Sequence, residues 1–220
     1  MNIIDSINST IPKYETILPF SNERVCFTPF RVKDAKALAL IMQENNKKLA
    51  LQNMVDLIKK YSDHTNILNL CLADAEFLFL QIRSKSVDEV LNLIYNDQKV
   101  QVEISQIKPR NQVNEQKIDI GNSISLNLKT PTVGQLLKLQ SLDKEEIFRA
   151  YIDQVIIKNE IYKTNKFVPE EIKDLLDNLP ISIVPKIEQF TKNQPELYLT
   201  LNVEEGTKEV TGLLNFFTYR

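Results

Sequence analysis

Histidine, tryptophan, glycine and cysteine are nearly missing from this chain of 220 residues, which holds one His, no Trp, four Gly and two Cys. Each scarcity removes a class of chemistry. The single histidine, His64, sits in the polar run Ser62-Asp63-His64-Thr65-Asn66 with no cysteine beside it. Neither a metal cluster nor a nucleophile–histidine pair therefore has its usual parts, and a solvated loop residue is expected. The glycines, Gly121, Gly134, Gly206 and Gly212, stand alone, so no loop is built to cradle a phosphate. Cys26 and Cys71 fall in separate elements without paired spacing, which fits reduced thiols rather than a disulfide framework. Cys71 precedes an apolar helix, where a helix dipole lowers a thiol pKa, but its neighbours Leu70 and Leu72 favour a small buried hydrophobe.

Charge of one sign is lacking too. With 27 basic and 29 acidic residues the net charge is −2, which provides no cationic field for a phosphate backbone and excludes nucleic acid as an expected partner. No segment approaches the roughly 18 consecutive apolar residues of a membrane span. Met1–Thr10 lacks the basic start and apolar core of a signal peptide, so a cytosolic protein is expected. Carboxylates are plentiful but scattered, as in Glu44, Asp56, Asp74, Glu76, Asp88 and Glu89, and spacing picks out no acid/base pair. Asp74 and Glu76 read as favourable charges in a first helical turn, and Lys47-Lys48 and Lys59-Lys60 as solvated basic pairs. No cofactor, metal or catalytic residue is expected.

What the chain does have is an ordinary globular composition, 43% hydrophobic and 25% charged, and enough length to bury a core without disulfide or metal. Tyr14–Leu18 and Arg24–Phe30 read as two short strands around the turn Ser21-Asn22-Glu23. Ala35, Leu38, Ile41 and Met42, then Leu51, Met54, Val55, Ile58 and Tyr61, recur at helical spacing and predict two amphipathic helices. Asp74–Ile82 is apolar on nearly all sides, the mark of a central buried helix. Val90–Tyr95 and Lys99–Ile104 alternate as a hairpin, while the polar, proline-bearing Lys108–Lys117 reads as an exposed loop. Ile118–Ile120 and Ser123–Lys129 return to strand character.

The second half reads as mostly helical. Val133, Leu136 and Leu137 mark a short helix, and Asp143 with Glu146 opens a longer one through Ile157. Pro169 heads another, with Ile172, Leu175, Leu176 and Leu179 at i, i+3, i+4 and i+7, and Ile183, Ile187 and Phe190 a further one. Tyr198–Val203 and Lys208–Val210 form a late hairpin. The expected class is α+β, two helical lobes each with a small antiparallel hairpin or sheet, divided as 1–130 and 131–220. At the carboxyl end Leu213, Leu214, Phe216, Phe217 and Tyr219 concentrate large apolar side chains, either docked on the chain's own core or presented as an anchor for a partner.

Several stretches, taken in order, carry a family resemblance: Tyr14-Glu15-Thr16-Ile17-Leu18-Pro19, Thr28-Pro29-Phe30-Arg31-Val32-Lys33-Asp34-Ala35-Lys36-Ala37-Leu38, and Glu76-Phe77-Leu78-Phe79-Leu80-Gln81-Ile82-Arg83-Ser84-Lys85-Ser86-Val87. Tyr151–Ile156, Lys186–Phe190 and Gly212–Phe217 complete the set. The chain resembles the baseplate hub protein family of T-even-type contractile-tailed bacteriophages, and the central run from Glu76 is its most specific part. Some members carry paired cysteines in the hairpins, suggesting metal knuckles. Val90–Ile104 and Tyr198–Val210 have none here, so no metal site is carried over.

The resemblance implies a non-enzymatic protein of the host cytoplasm that works in baseplate hub assembly through contacts with other hub or tail proteins, with self-association as a further option. It is either retained as a hub subunit or acts as a transient assembly factor. An enzyme using the scattered carboxylates is the reading from another class, and it requires a deep pocket of clustered acids. Phe77, Leu78, Phe79, Leu80 and Ile82 are expected to fill a core, and Arg83 and Lys85 to favour the helix end.

Overall fold

The structure is a computed structural model that describes residues 10–43, 46–95, 98–142, 144–203 and 206–212. The chain opens with β1 (Tyr14–Ile17) and β2 (Arg24–Phe27), an antiparallel pair in which Tyr14 faces Phe27 and Ile17 faces Arg24. Both strands stop short of the expected ends. The chain reverses from Leu18, whose N–H donates to Glu23 O and whose carbonyl accepts from Asn22 N. Asn22 takes a left-handed φ of 58°, a conformation that Asn tolerates better than most residues.

A 3-10 turn at Val32–Asp34 leads into α1 (Ala35–Gln43), and α2 (Lys47–Tyr61) follows. Asn46 caps α2 by accepting from Lys48 N and Leu49 N, and Lys59 and Lys60 occupy its last turn, favourably placed against the helix dipole. All five α2 residues singled out by periodicity, Leu51, Met54, Val55, Ile58 and Tyr61, are buried. α3 (Leu72–Ser84) buries Ala73, Ala75, Leu78, Phe79, Leu80 and Ile82, as an all-round apolar helix must. Phe77 is only half-buried, so the expected core set loses one member. β3 (Val90–Tyr95) and β4 (Gln98–Glu103) form the expected hairpin, and its Asn96-Asp97 turn lies outside the described residues.

Lys108–Lys117 is not the loop its polarity suggested. Its first residues form β5 (Lys108–Arg110), which pairs with a strand from the far end of the chain, and its last residues begin β6. Pro109 is admissible there because β5 is an edge strand, where one missing N–H need not break a ladder.

A four-stranded antiparallel sheet then forms in the order β6-β7-β8-β9, from β6 (Glu115–Gly121), β7 (Ile124–Lys129), β8 (Ile152–Ile157) and β9 (Glu160–Lys163). Between β7 and β8 lie α4 (Val133–Lys138) and α5 (Lys144–Ala150); after β9 come α6 (Pro169–Asp177) and α7 (Val184–Lys192). A mostly helical second half is therefore corrected. The expected helix from Asp143 through Ile157 ends at Ala150, because the branched side chains of Ile152, Val155, Ile156 and Ile157 suit a strand paired to β7. Asp143 itself lies outside the described residues. Lys158 and Asn159, both at left-handed φ (47° and 72°), close the β8–β9 hairpin as a two-residue turn, and Asn122-Ser123 does the same for β6–β7.

β10 (Glu196–Val203) and β11 (Gly206–Thr211) form the late hairpin, and β5 joins it as a third strand. The class is a mixed one of helices and several small antiparallel sheets. By packing, the chain divides into a unit that runs to Arg110 and resumes at Glu196, and a second unit, Asn111–Pro195. That division differs from the expected 1–130 and 131–220, since pairing of Glu196 with Arg110 draws the late hairpin to the earlier part of the chain. In the first unit α3 packs on α2 and β10. In the second, Ile118, Leu126, Leu128, Ile152 and Val155 of the sheet close on Ile183, Ile187 and Phe190.

Candidate functional site

α3 is the hub of the first unit's polar connections, and they begin with Asp74. Its carboxylate is 1% exposed and accepts from Phe20 N at 3.0 Å and Ser21 N at 2.9 Å, holding the β1–β2 turn. Burial pushes the Asp74 carboxyl above the usual carboxylate range, more than these N–H bonds pull it down. The charge is thus more than a favourable first-turn residue: it is a tie between elements more than fifty positions apart.

At the other end of α3, Ser86 Oγ donates to Ile82 O at 2.5 Å and accepts from Phe30 N at 2.7 Å. Arg83 is buried and donates to Asp88 O at 3.1 Å, while Lys85 pairs with Glu89. Burial lowers the Arg83 pKa against a smaller upward pull from Asp88, so Arg83 holds the elbow after α3 rather than standing solvated at a helix end.

Between these ties lies an aromatic cluster. The Phe30 ring meets Tyr61 edge-on, with centroids 5.3 Å apart, and Phe79 at 5.5 Å. Beneath it, the buried Asp34 receives both Lys60 Nζ and the Tyr61 hydroxyl. Burial alone would raise the Asp34 carboxyl, but the bonds from Lys60 and Tyr61 outweigh it and the pKa falls. Tyr61 moves up, first by burial and then by its bond to Asp34. Two stretches of the resemblance, Thr28–Leu38 and Glu76–Val87, therefore meet in one place and bind each other. A second pair, Tyr151–Ile156 and Lys186–Phe190, does so in the second unit, where Tyr151 lies edge-on to Phe190 at 5.8 Å and Ile152, Val155 and Ile187 share their core.

The remaining candidates have structural partners. His64 is not solvated: its side chain is 7% exposed, its Nε2 lies 2.8 Å from Glu23 Oε2, and Asn66 N donates to its Nδ1 at 3.2 Å. That bond assigns the proton to Nε2. Cys71 is buried at the N-cap of α3 and its thiol is pushed up to about 12, by burial first and by the charge of Asp74 second. A thiol held there is protonated at neutral pH and is no nucleophile. Cys26, at the surface edge of β2, is also raised, by burial and then by Asp63 and Glu15. Leu213, Leu214, Phe216, Phe217 and Tyr219 lie outside the described residues.

Two depressions in the first unit, one beside Gln81, Lys85 and Glu103 and one beside Cys26, Lys60 and Asp63, hold about 180 and 260 Å³. Both fall below the roughly 300–1,000 Å³ of small-molecule sites. Among the described residues, no group of three or more His, Cys, Asp or Glu is placed to hold a metal ion. Among the same residues, no helix is long and apolar enough to cross a membrane.

What this arrangement can do is hold a shape. Asp34, Ser86 and Tyr61 are the residues that sequence reasoning missed as connectors. The only signal for Ser86 was its place at the end of the central run, and for Asp34 its solitary negative charge in a basic stretch. Compared with known proteins, the family model described as T4 bacteriophage base plate protein matches residues 11–218. No curated protein and no solved structure matches the chain.

Proposed function

Because the chain belongs to the T4 bacteriophage base plate protein family, we propose that it is a non-enzymatic tail protein that takes part in building the baseplate hub through protein–protein contacts. The observation that carries this reading is where the family stretches lie. Thr28–Leu38 meets Glu76–Val87 through Phe30, which packs on Phe79 and donates to Ser86, and Tyr151–Ile156 meets Lys186–Phe190 through Tyr151 on Phe190. A catalytic family would be expected to keep some such groups turned toward a substrate. The partners are other hub or tail proteins, met in the host cytoplasm, and the apolar carboxyl-terminal set Leu213, Leu214, Phe216, Phe217 and Tyr219 is a candidate anchor for them.

The proposal takes two forms, retention as a hub subunit and a transient assembly factor that leaves before the tail is complete. Mass spectrometry of purified particles separates them: the protein is present in the first case, and in the second it is absent although its deletion blocks the hub. Affinity purification of the tagged protein from infected cells tests the assembly reading itself. Recovery of tail components is expected, and their absence refutes it. Truncation before Asn215 tests the anchor: folding retained with assembly lost supports it, and a lowered melting temperature assigns the segment to the chain's own core.

A further inference from the structure

The helix pair α1–α2 carries a charge imbalance that the contact of Lys60 with Asp34 uses only in part. From Arg31 to Tyr61 the sequence has seven basic and three acidic side chains, within a chain whose net charge is −2. Two of the three acids are engaged: Asp34 is buried under Lys60 and Tyr61, and Asp56 accepts from Gln52 Nε2 at 3.0 Å. The third, Glu44, lies outside the described residues. Arg31, Lys33, Lys36, Lys59 and Lys60 are exposed.

The same surface has an aliphatic centre. Val32 is 94% exposed, the largest exposure among the large apolar side chains of the described residues. Ala35 and Ala39, in the α-helix that follows the turn holding Val32, are exposed as well and share one stripe at i, i+4, with Lys36 next to Ala35. The stripe is smooth and small-sided, flanked by lysines, and has no exposed carboxylate of its own among Val32–Ala39.

We propose that this face docks an acidic segment of another protein, with an aliphatic side chain of the partner over Val32 and its carboxylates against Lys33 and Lys36. Charge complementarity selects the partner: a cationic rim around an apolar centre steers and orients an anionic surface. Nucleic acid fits less well, because the centre offers aliphatic groups and no exposed aromatic ring on which a base could stack. The proposal rests on the assembly reading and names the kind of surface met.

The test uses the full-length chain carrying a benzophenone amino acid in place of Val32, supplied in cells infected with phage lacking its own copy. After irradiation, the cross-linked peptide is sequenced by mass spectrometry. The expected adduct is a peptide of net negative charge from a tail protein. The double variant Lys33→Glu, Lys36→Glu should lower its yield about tenfold, equivalent to about 1.4 kcal/mol; because Lys33 also acts on the buried Asp34, the single variant Lys36→Glu, with an unchanged melting temperature, should lower the yield as well. Lys33→Gln, Lys36→Gln should fall between, and added salt should reduce the yield. A neutral or basic peptide, a peptide of this same chain, a nucleic-acid adduct, no adduct, or a yield indifferent to charge reversal overturns the proposal. Particle yield keeps the two readings apart: normal tails without the protein refute assembly, whereas lost tails restored by the charge-reversed variant refute only this face.

Discussion

Removing the Asp74 carboxylate should loosen the first unit by an amount that its two bonds set. Phe20 N is buried and would be left with no acceptor in Asp74→Ala, a loss worth about 1–3 kcal/mol. Ser21 N is only partly buried, so water can replace the carboxylate there and the loss is smaller, about 0.5–1 kcal/mol. Part of this is offset, because the buried charge no longer has to be desolvated. A net cost of about 2 kcal/mol follows, which lowers the melting temperature by roughly 4–8 °C for a chain of this size. Asp74→Asn keeps one acceptor and should fall between the variant and the parent. Calorimetry reads both.

The pH dependence of the same pair is a sharper check. Burial raises the folded-state pKa of Asp74, so the native state holds this proton more tightly than the unfolded chain does. The group's contribution is complete below the ordinary Asp value of about 3.9 and is lost as pH rises through the folded value. The stability gap between parent and Asp74→Ala should therefore be widest near pH 4 and narrow toward neutrality. A gap that widens with pH, or an Ala variant as stable as the parent, refutes the assignment of Asp74 as a buried tie.

Asp34 should show the opposite sign: its pKa is lowered, so its contribution is present above the ordinary Asp range and lost as pH falls through the folded value. Tyr61→Phe should cost about 1–3 kcal/mol in urea unfolding at neutral pH and flatten that acid limb, and an unchanged acid limb would count against the cluster. Phe79→Ala should cost about 3–5 kcal/mol, since its ring is 1% exposed and packs on Phe30, and Phe77→Ala distinctly less because that ring is half-buried. Equal losses in denaturant melts would contradict the burial difference. The Cys71 thiol, raised to about 12, should resist a disulfide reagent at pH 8 in the folded protein and react on unfolding. Rapid native labelling at Cys71, located by peptide mapping, would refute its burial.

Local pattern was legible wherever an element owes its form to its own periodicity. α2 and α3 follow from apolar spacing, α6 from Pro169 at its first position, and the β1–β2 and β3–β4 hairpins from alternation beside polar turns. Errors came where a distant partner decides. Lys108–Arg110 has no strand pattern of its own and becomes β5 because β10 supplies the ladder. Tyr151–Ile157 carries branched side chains that suit a strand but follows α5 without a break, and β7 settles it by offering a paired edge.

The functional reading divides along the same line. Composition by itself determined that nucleic acid and metal chemistry are poor expectations, since one histidine, two unpaired cysteines and a near-neutral charge leave little to build them from. The ordered family stretches led to the baseplate, and the family match agrees. Only the tertiary structure decided what those stretches do for each other: Asp74 reaching Phe20, Ser86 reaching Phe30, Asp34 taking Lys60 and Tyr61. The physical reason is that a helix or strand records its periodicity in neighbouring residues, whereas a buried hydrogen bond depends on which distant backbone group the fold brings to within 3 Å.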